Sequence, residues 1–158
     1  MAKLTHFDKL GRAKMVDVSP KAETVREAVV RGSVYMKPAT YRAILAGKVP
    51  KGDVFPVARV AGILAAKKTS DLIPMCHPLN LSHVEINFLP DEKESRIDIE
   101  AKVRVKAETG VEMEALVAVA TAALTLYDMC KAIDRGMVIS DIRLMKKTGG
   151  KSGTYRAV

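Results

Sequence analysis

Residues 96–106 read RIDIEAKVRVK and show the clearest alternation of apolar and charged side chains in the chain. The apolar positions are Ile97, Ile99, Ala101, Val103 and Val105, and a charged residue follows each of them. A period of two is the spacing of a β-strand, whose successive side chains point to opposite faces. Residues 82–89 alternate in the same way, and the polar segment 90–95 is typical of a turn. The two runs predict an antiparallel hairpin with one buried and one solvated face.

Before this hairpin, the sequence predicts one strand and two helices. Residues 26–36 alternate as a strand, and a helix begins at Pro38 and stops near Gly47. A second helix is predicted from Asp53, a residue type that caps helix N-termini, to about Thr69.

After the hairpin, the pattern predicts one long helix and a last strand. Thr109 and Glu112 have the spacing of a capping box, and Arg135-Gly136 is typical of a C-terminal stop. The strand is predicted over residues 138–145. The order strand, helices, strand, strand, helix, strand predicts an α+β fold of the ferredoxin-like βαββαβ type, with an antiparallel sheet covered by helices.

The chain has 158 residues, which is room for one domain with one core. Residues 1–20 lack periodicity, so we expect a flexible N-terminal arm and a single α+β domain over residues 21–158. The longest uncharged apolar run, 115–127, is shorter than the ~18–20 residues of a membrane helix, and no signal-peptide pattern opens the chain. Cys76 and Cys130 have no metal or redox spacing. We therefore expect a cytoplasmic protein.

The net charge of +8 favours an anionic partner. Nucleic acid, a membrane surface and a phosphorylated small molecule all meet that description, and charge alone does not choose between them.

The loop 72–78, LIPMCHP, contains two prolines that fix its course between a helix and a strand and present His77. The alternative is a rigid connector with a solvated histidine. A zinc site is disfavoured, because Cys76 and His77 are adjacent and no second ligand pair exists.

Asp128 and Lys131 are three residues apart on the predicted long helix and share one face. They form either a surface salt bridge or a pair that tunes proton transfer, and their position after several apolar turns favours the second. At the other end of the helix, Glu112 is explained in part by the capping box, whereas Glu114 is not.

Several lysines lie in glycine-containing segments. The tail 147–153, KTGGKSG, resembles a phosphate loop but lacks the first glycine, whose place is held by Met145, and no helix follows it. A flexible basic strip that closes on phosphate remains, with Lys147 in it. Lys51 precedes a helix N-terminus, which also suits an anion. The alternative for both lysines is a solvated surface cation.

Five blocks in order carry a resemblance that spans nearly the whole chain. They are MVDVSPK at 15–21, KGDVFPVARVAGILAAKKTSDLIPMCHPL at 51–79, TGVEMEAL at 109–116, LYDMCKA at 126–132 and KTGGKSG at 147–153. In these blocks the chain resembles the cyclic pyranopterin monophosphate synthase family of molybdenum cofactor biosynthesis. It departs at Met75, where leucine is common, and in 117–123, where small or apolar residues replace a threonine and a serine.

The resemblance implies a lyase that converts cyclised dihydro-GTP to cyclic pyranopterin monophosphate and pyrophosphate, with no cofactor and no metal. It implies that Asp128 and Lys131 act in catalysis. It assigns substrate binding to Met75, Cys76, His77, Met113 and Glu114, with Lys51, Glu112 and Lys147 as further candidates.

The resemblance also implies a symmetric homohexamer, a trimer of dimers. Glu114 and Asp128 are 14 residues apart on one predicted helix. At ~1.5 Å per residue this separates them by ~21 Å, more than two short side chains can span. We therefore expect a site at a subunit interface, with Met113 and Glu114 from one protomer and Asp128 and Lys131 from another. The alternative is a pocket within one protomer, in which Glu114 touches the distal end of the ligand or nothing at all.

The sequence also leaves two other function classes to weigh. An RNA-binding module on this fold needs aromatic residues on its central strands, and the exposed face of 96–106 is charged and its other face aliphatic. A nucleotide-sensing protein without turnover is opposed only by the Asp128–Lys131 pair, and pyrophosphate release discriminates it from the enzyme. We expect a small-molecule substrate, and neither nucleic acid nor membrane as a partner.

Overall fold

A computed structural model describes residues 6–158. Residues 6–23 contain turns, bends and an isolated bridge between Phe7 and Ala13, and the first five residues of the expected N-terminal arm lie outside the described part. The elements that follow are β1 (Thr24–Tyr35), α1 (Pro38–Leu45), α2 (Val54–Ala66), α3 (Thr69–Leu72), β2 (His83–Asp91), β3 (Arg96–Ala107), α4 (Glu112–Cys130), β4 (Val138–Thr148) and β5 (Tyr155–Arg156).

The strands form one sheet in the order β2-β3-β1-β4-β5, and every neighbouring pair is antiparallel. β1 lies at the centre and pairs with β3 along its whole length, from Thr24 opposite Ala107 to Tyr35 opposite Arg96. This order confirms the predicted ferredoxin-like α+β fold. The short β5 is an addition that the sequence pattern did not predict.

The alternation in β3 becomes the two faces of the sheet. The apolar set is fully buried against the helices, at 0–2% exposure: Ile97, Ile99, Ala101, Val103 and Val105. The opposite face carries ion pairs between strands, such as Arg104 with Glu27 at 2.7 Å. The predicted hairpin with one solvated face is confirmed.

The two long helices approach each other closely because α2 has a glycine at the contact. A Cβ added to Gly62 would stand 2.8 Å from the carbonyl oxygen of Ala118 on α4 and would collide with the Ile86 side chain of β2. Real Cβ atoms essentially never come that close. The two helices can therefore lie this near each other only because residue 62 is a glycine and has no side chain.

The predicted bounds of α4 are wrong at both ends. The helix begins at Glu112 with Val111 at its N-cap position and no side-chain cap, so Thr109 and Glu112 form no capping box. The Glu112 carboxylate folds back over Gly110. The helix ends at Cys130, and in the turn that follows the Asp134 N–H bonds back to the Cys130 carbonyl oxygen while the Asp134 carboxylate bonds to the start of α1.

α4 extends beyond the uncharged run 115–127 and has 19 residues with a mean hydropathy of 1.4. By length and composition alone it could cross a membrane, so the expectation that no segment is long enough is wrong. Half of the relevant window is buried inside the fold against the sheet and α2, as in the core helix of a water-soluble protein.

Gly62→Ala tests the close approach of α2 and α4. Helix propensity alone would make the variant ~1 kcal/mol more stable. The collision with Ala118 and Ile86 should instead destabilise it by ~1–3 kcal/mol, as overpacking does. Urea unfolding at equilibrium measures the difference, and its sign decides between the two effects. A variant more stable than the wild type would contradict the close packing of the two helices.

Candidate functional site

One cluster of charged side chains lies at the C-terminal end of α4, and it is called here the Asp128 cluster: Lys51, Asp128 and Lys131. Lys51 Nζ donates to Asp128 Oδ2 at 2.8 Å and to the Asp128 carbonyl oxygen at 3.0 Å. Lys131 Nζ lies 2.7 Å from Asp128 Oδ1. All three side chains are about half exposed. Each carboxylate oxygen of Asp128 therefore has its own ammonium partner.

The two ammonium groups set the protonation states in the Asp128 cluster. Hydrogen bonds from Lys131 and then Lys51 lower the pKa of Asp128 to about 2. The bond to Asp128 raises the pKa of Lys131. At neutral pH the cluster therefore presents an ionised carboxylate beside a firmly protonated Lys131.

A second group of predicted residues meets at the N-terminal end of α4. The loop before β2 and the first turn of α4 line one cavity of about 340 Å³, called here the loop cavity. Its predicted site residues are Met75, Cys76, His77, Glu112, Met113 and Glu114. Val16, Val18 and Lys21 complete its wall from the N-terminal segment. The loop and the first helix turn meet in this cavity although His77 and Glu112 are 35 residues apart in the sequence.

Glu114 is the buried acid of the loop cavity. The residue is 4% exposed, and this burial, with a smaller contribution from the nearby charge of Glu112, raises the pKa of Glu114 to about 7. Burial and then Glu114 also raise the pKa of the Cys76 thiol. A carboxyl group with a pKa near neutrality can both give and take a proton at working pH.

His77 connects the loop cavity to the N-terminal segment. Its Nε2 lies 2.7 Å from the carbonyl oxygen of Val16, so Nε2 carries the hydrogen and donates it. This bond holds Val16 against the loop.

A larger cavity of about 650 Å³, called here the basic cavity, adjoins the loop cavity. Glu112, Lys21, Thr109 and Gly110 line both cavities. The basic cavity adds Arg26 and the tail with Lys147 and Lys151. Lys147 Nζ bonds to the Ser152 hydroxyl, and the Gly149–Gly150 turn packs directly on the Arg26 side chain.

Sequence reasoning missed Lys21 and Arg26. Arg26 lies near the start of β1 at a core-facing position, in phase with the buried Ala28 and Val30. A charged residue at a position where the strand pattern predicts an apolar one is a sign of a functional role, and the sequence alone would have shown it. Its Nη2 donates to the Glu108 carbonyl oxygen at 3.0 Å, whereas its buried Nε has no partner in the described part of the chain. Lys21 ends the 15–21 block and gave no separate signal.

Within one chain the Asp128 cluster and the two cavities stay apart. They sit at opposite ends of α4, and the 14 residues between Glu114 and Asp128 correspond to ~21 Å of helix. Lys51 and Lys147, which the sequence grouped as anion-binding lysines, are therefore separated. Among residues 6–158, no three His, Cys, Asp or Glu side chains are grouped to hold a metal ion.

Comparison with known proteins gives one consistent result. Residues 15–150 match the model of the MoaC family. Three curated relatives carry the name cyclic pyranopterin monophosphate synthase. The one from Pelotomaculum thermopropionicum is 61% identical over 98% of this chain and 91% of its own length. That from Heliobacterium modesticaldum is 61% identical over 98% of both chains, and that from Thermoanaerobacter pseudethanolicus 62% identical over 96% of both.

The raised pKa of Glu114 predicts a stability difference that depends on pH. The folded state keeps the Glu114 proton between pH 4.5, where an ordinary glutamate loses it, and about pH 7. In this pH window the folded wild type binds more protons than the unfolded chain. Its free energy of unfolding therefore falls as pH rises, by at most ~1.4 kcal/mol per unit of pKa shift of Glu114. Thermal unfolding of wild type and Glu114→Gln from pH 4 to 8 should show Glu114→Gln gaining relative stability towards pH 8. Parallel curves would mean that Glu114 is not buried as described.

Proposed function

The chain belongs to the MoaC family, and from this premise we propose that it is a cyclic pyranopterin monophosphate synthase of molybdenum cofactor biosynthesis. The observation that carries the proposal is that relatives of this name match 96–98% of the chain at 61–62% identity. The substrate is cyclised dihydro-GTP, and the products are cyclic pyranopterin monophosphate and pyrophosphate. The catalytic domain comprises residues 21–158, and the enzyme acts in the cytoplasm. Residues 1–20 form an arm, of which Val16 and Val18 border the loop cavity.

The charge of the basic cavity supports binding of a triphosphate. Four cations border it, Lys21, Arg26, Lys147 and Lys151, against the three glutamates Glu27, Glu108 and Glu112, so the lining keeps a small excess of positive charge. The N–H groups at the start of α4 lie beside it. The bond from Arg26 Nη2 to the Glu108 carbonyl oxygen holds the guanidinium charge at the wall of this cavity. The adjoining loop cavity is less charged and would hold the guanine-derived rings.

The protonation states support a division of roles in acid–base catalysis. Cyclic phosphate formation requires a substrate hydroxyl oxygen to bond to the α-phosphorus while the bond to the pyrophosphate oxygen breaks. Lys131 stays protonated, and because its raised pKa makes it a poor proton donor it suits electrostatic stabilisation of the leaving oxygen. Asp128 is a weak base and would orient both lysines. Glu114 has a pKa of about 7 and suits removal of the proton from the substrate hydroxyl. Two groups whose pKa values differ this widely can take different roles in one acid–base reaction.

These roles require the two ends of α4 to meet, which a symmetric dimer would achieve. The outward stripe of α4 runs from Met113 through Val117, Thr121 and Leu124 to Asp128, and its middle residues are small or apolar. α2, which packs beside α4, also exposes apolar side chains at Val57, Val60 and Leu64. If two copies pack this surface antiparallel about a two-fold axis, Met113 of each faces Asp128 of the other. We propose that each site is shared in this way, and that the dimers assemble into a hexamer.

Asp128→Asn and Lys131→Ala should each abolish turnover with the fold intact. Loss of one proton-transfer or charge-stabilising group costs ~10²–10⁴-fold in rate. Pyrophosphate release from cyclised dihydro-GTP measures the rate, and thermal melting controls for folding. Near-normal release by either variant would remove these residues from the mechanism.

Mixing two inactive variants tests the shared site. Glu114→Ala and Asp128→Asn proteins are combined, denatured briefly and refolded together. Interfaces that pair the two variants contain one intact site, so a fraction of wild-type activity should return. Each variant refolded alone is the control. Native mass spectrometry shows whether the refolded oligomers contain both variants. If they do and activity does not return, the site lies within one chain.

A further inference from the structure

Asp134 is a buried carboxylate outside both cavities and outside the Asp128 cluster. The residue is 2% exposed and lies in the turn after α4. Its Oδ2 accepts hydrogen bonds from the backbone N–H of Lys37 at 3.0 Å and from the Thr40 hydroxyl at 3.1 Å. Its Oδ1 accepts the N–H of Gly136 at 3.0 Å. A carboxylate is stable away from water only with such donors, and two of the three belong to the start of α1.

Asp134 does for α1 what the N3 carboxylate of a capping box normally does. Lys37 occupies the N-cap position and makes no side-chain capping bond of its own, and Thr40 stands at N3, where a capping box has Glu or Gln. The Asp134 carboxylate, 97 residues later in the chain, accepts the N–H of the N-cap residue Lys37. The position of α1 therefore depends on the turn that follows α4.

The same segment is bound a second time at its other end. Residues 37–51 begin at the Lys37–Asp134 bond and end at Lys51, which bonds to Asp128. Residues 128–134 thus contact both ends of residues 37–51. The Lys51–Asp128 pair is about half exposed, and exposed ion pairs hold long side chains weakly.

The chain between these two ends is packed, so a shift at one end would move the other. Tyr41, Ile44 and Val49 are buried at 4–5% exposure and join the core. A change in the seating of α1 would therefore be carried through its buried face to the Lys51 turn.

We propose that Asp134 is a positioning residue of the reaction, which anchors the start of residues 37–51 so that Lys51 remains on Asp128. Its catalytic consequence rests on the proposed function. The anchoring itself does not, and it is measured without substrate.

Acylation of Lys51 tests the anchoring. Limited treatment with acetic anhydride, followed by peptide mass spectrometry, gives the rate at Lys51 relative to Lys67, an exposed lysine at the end of α2. Asp134→Asn and the milder Thr40→Val should each raise the relative rate at Lys51 several-fold. Ser33→Ala is the matched control, because it removes a nearly buried hydroxyl, bonded to Asp98 at 2.6 Å, on the opposite face of the sheet. An unchanged Lys51 rate in Asp134→Asn and Thr40→Val would overturn the proposal.

Kinetics of a double-mutant cycle test the catalytic consequence. Asp134→Asn should lower kcat by roughly 10- to 100-fold with little change in KM, since small misplacements of catalytic groups have such effects. The double variant Asp134→Asn/Lys51→Ala should lose little more kcat than Lys51→Ala alone, because Asp134 acts through Lys51. Losses that multiply, or a kcat loss in Ser33→Ala as large as in Asp134→Asn, would show a merely structural role and overturn the proposal.

The outcomes remain distinguishable in each case. If Asp134→Asn does not fold, Thr40→Val takes its place in both measurements. If the wild type releases no pyrophosphate, the proposed function fails, while the acylation result still decides whether Asp134 anchors Lys51.

Discussion

The close seating of α4 in the fold is the constraint on which the rest of the structure depends. Two glycines make it possible. A Cβ at Gly32 of β1 would stand 2.8 Å from Val119, and one at Gly62 of α2 would stand 2.8 Å from the Ala118 carbonyl oxygen. Positions 118 and 119 lie at the middle of α4, so the helix is held at its centre between the sheet and α2. Its two ends, where the functional residues lie, are positioned by this central contact.

The two ends of α4 have opposite electrostatic environments. At the N-terminal end, the helix dipole favours anions, yet burial keeps Glu114 protonated up to about pH 7. At the C-terminal end, solvent and two ammonium groups keep Asp128 ionised down to about pH 2. Two carboxylic acids on one helix thus differ widely in proton affinity, because burial disfavours the charged form of Glu114, whereas two ammonium groups favour the charged form of Asp128.

Much of the fold followed from local pattern. The hairpin of β2 and β3, the strand β1 and the start of α2 after Asp53 were predicted close to their observed positions, because alternation and N-terminal signals are properties of neighbouring residues. The ends of α4 were predicted wrongly for a complementary reason. Thr109 and Glu112 had the spacing of a cap, but the Glu112 side chain folds over Gly110. Arg135-Gly136 lies beyond a separate turn, whose Asp134 carboxylate bonds to the start of α1.

The sequence by itself determined the order of strands and helices, the buried face of β3 and the residue types of the candidate site, all of which depend on local periodicity or on blocks shared with relatives. Only the tertiary structure decided which residues meet. Lys51 and Asp128 are 77 residues apart, and their hydrogen bond exists because the turn after α1 packs at the end of α4. Arg26 borders a cavity because β1 runs beneath the tail glycines, and Glu114 holds its proton because the loop at Cys76 covers it. Partner choice and desolvation arise from distant segments, and no local pattern contains them.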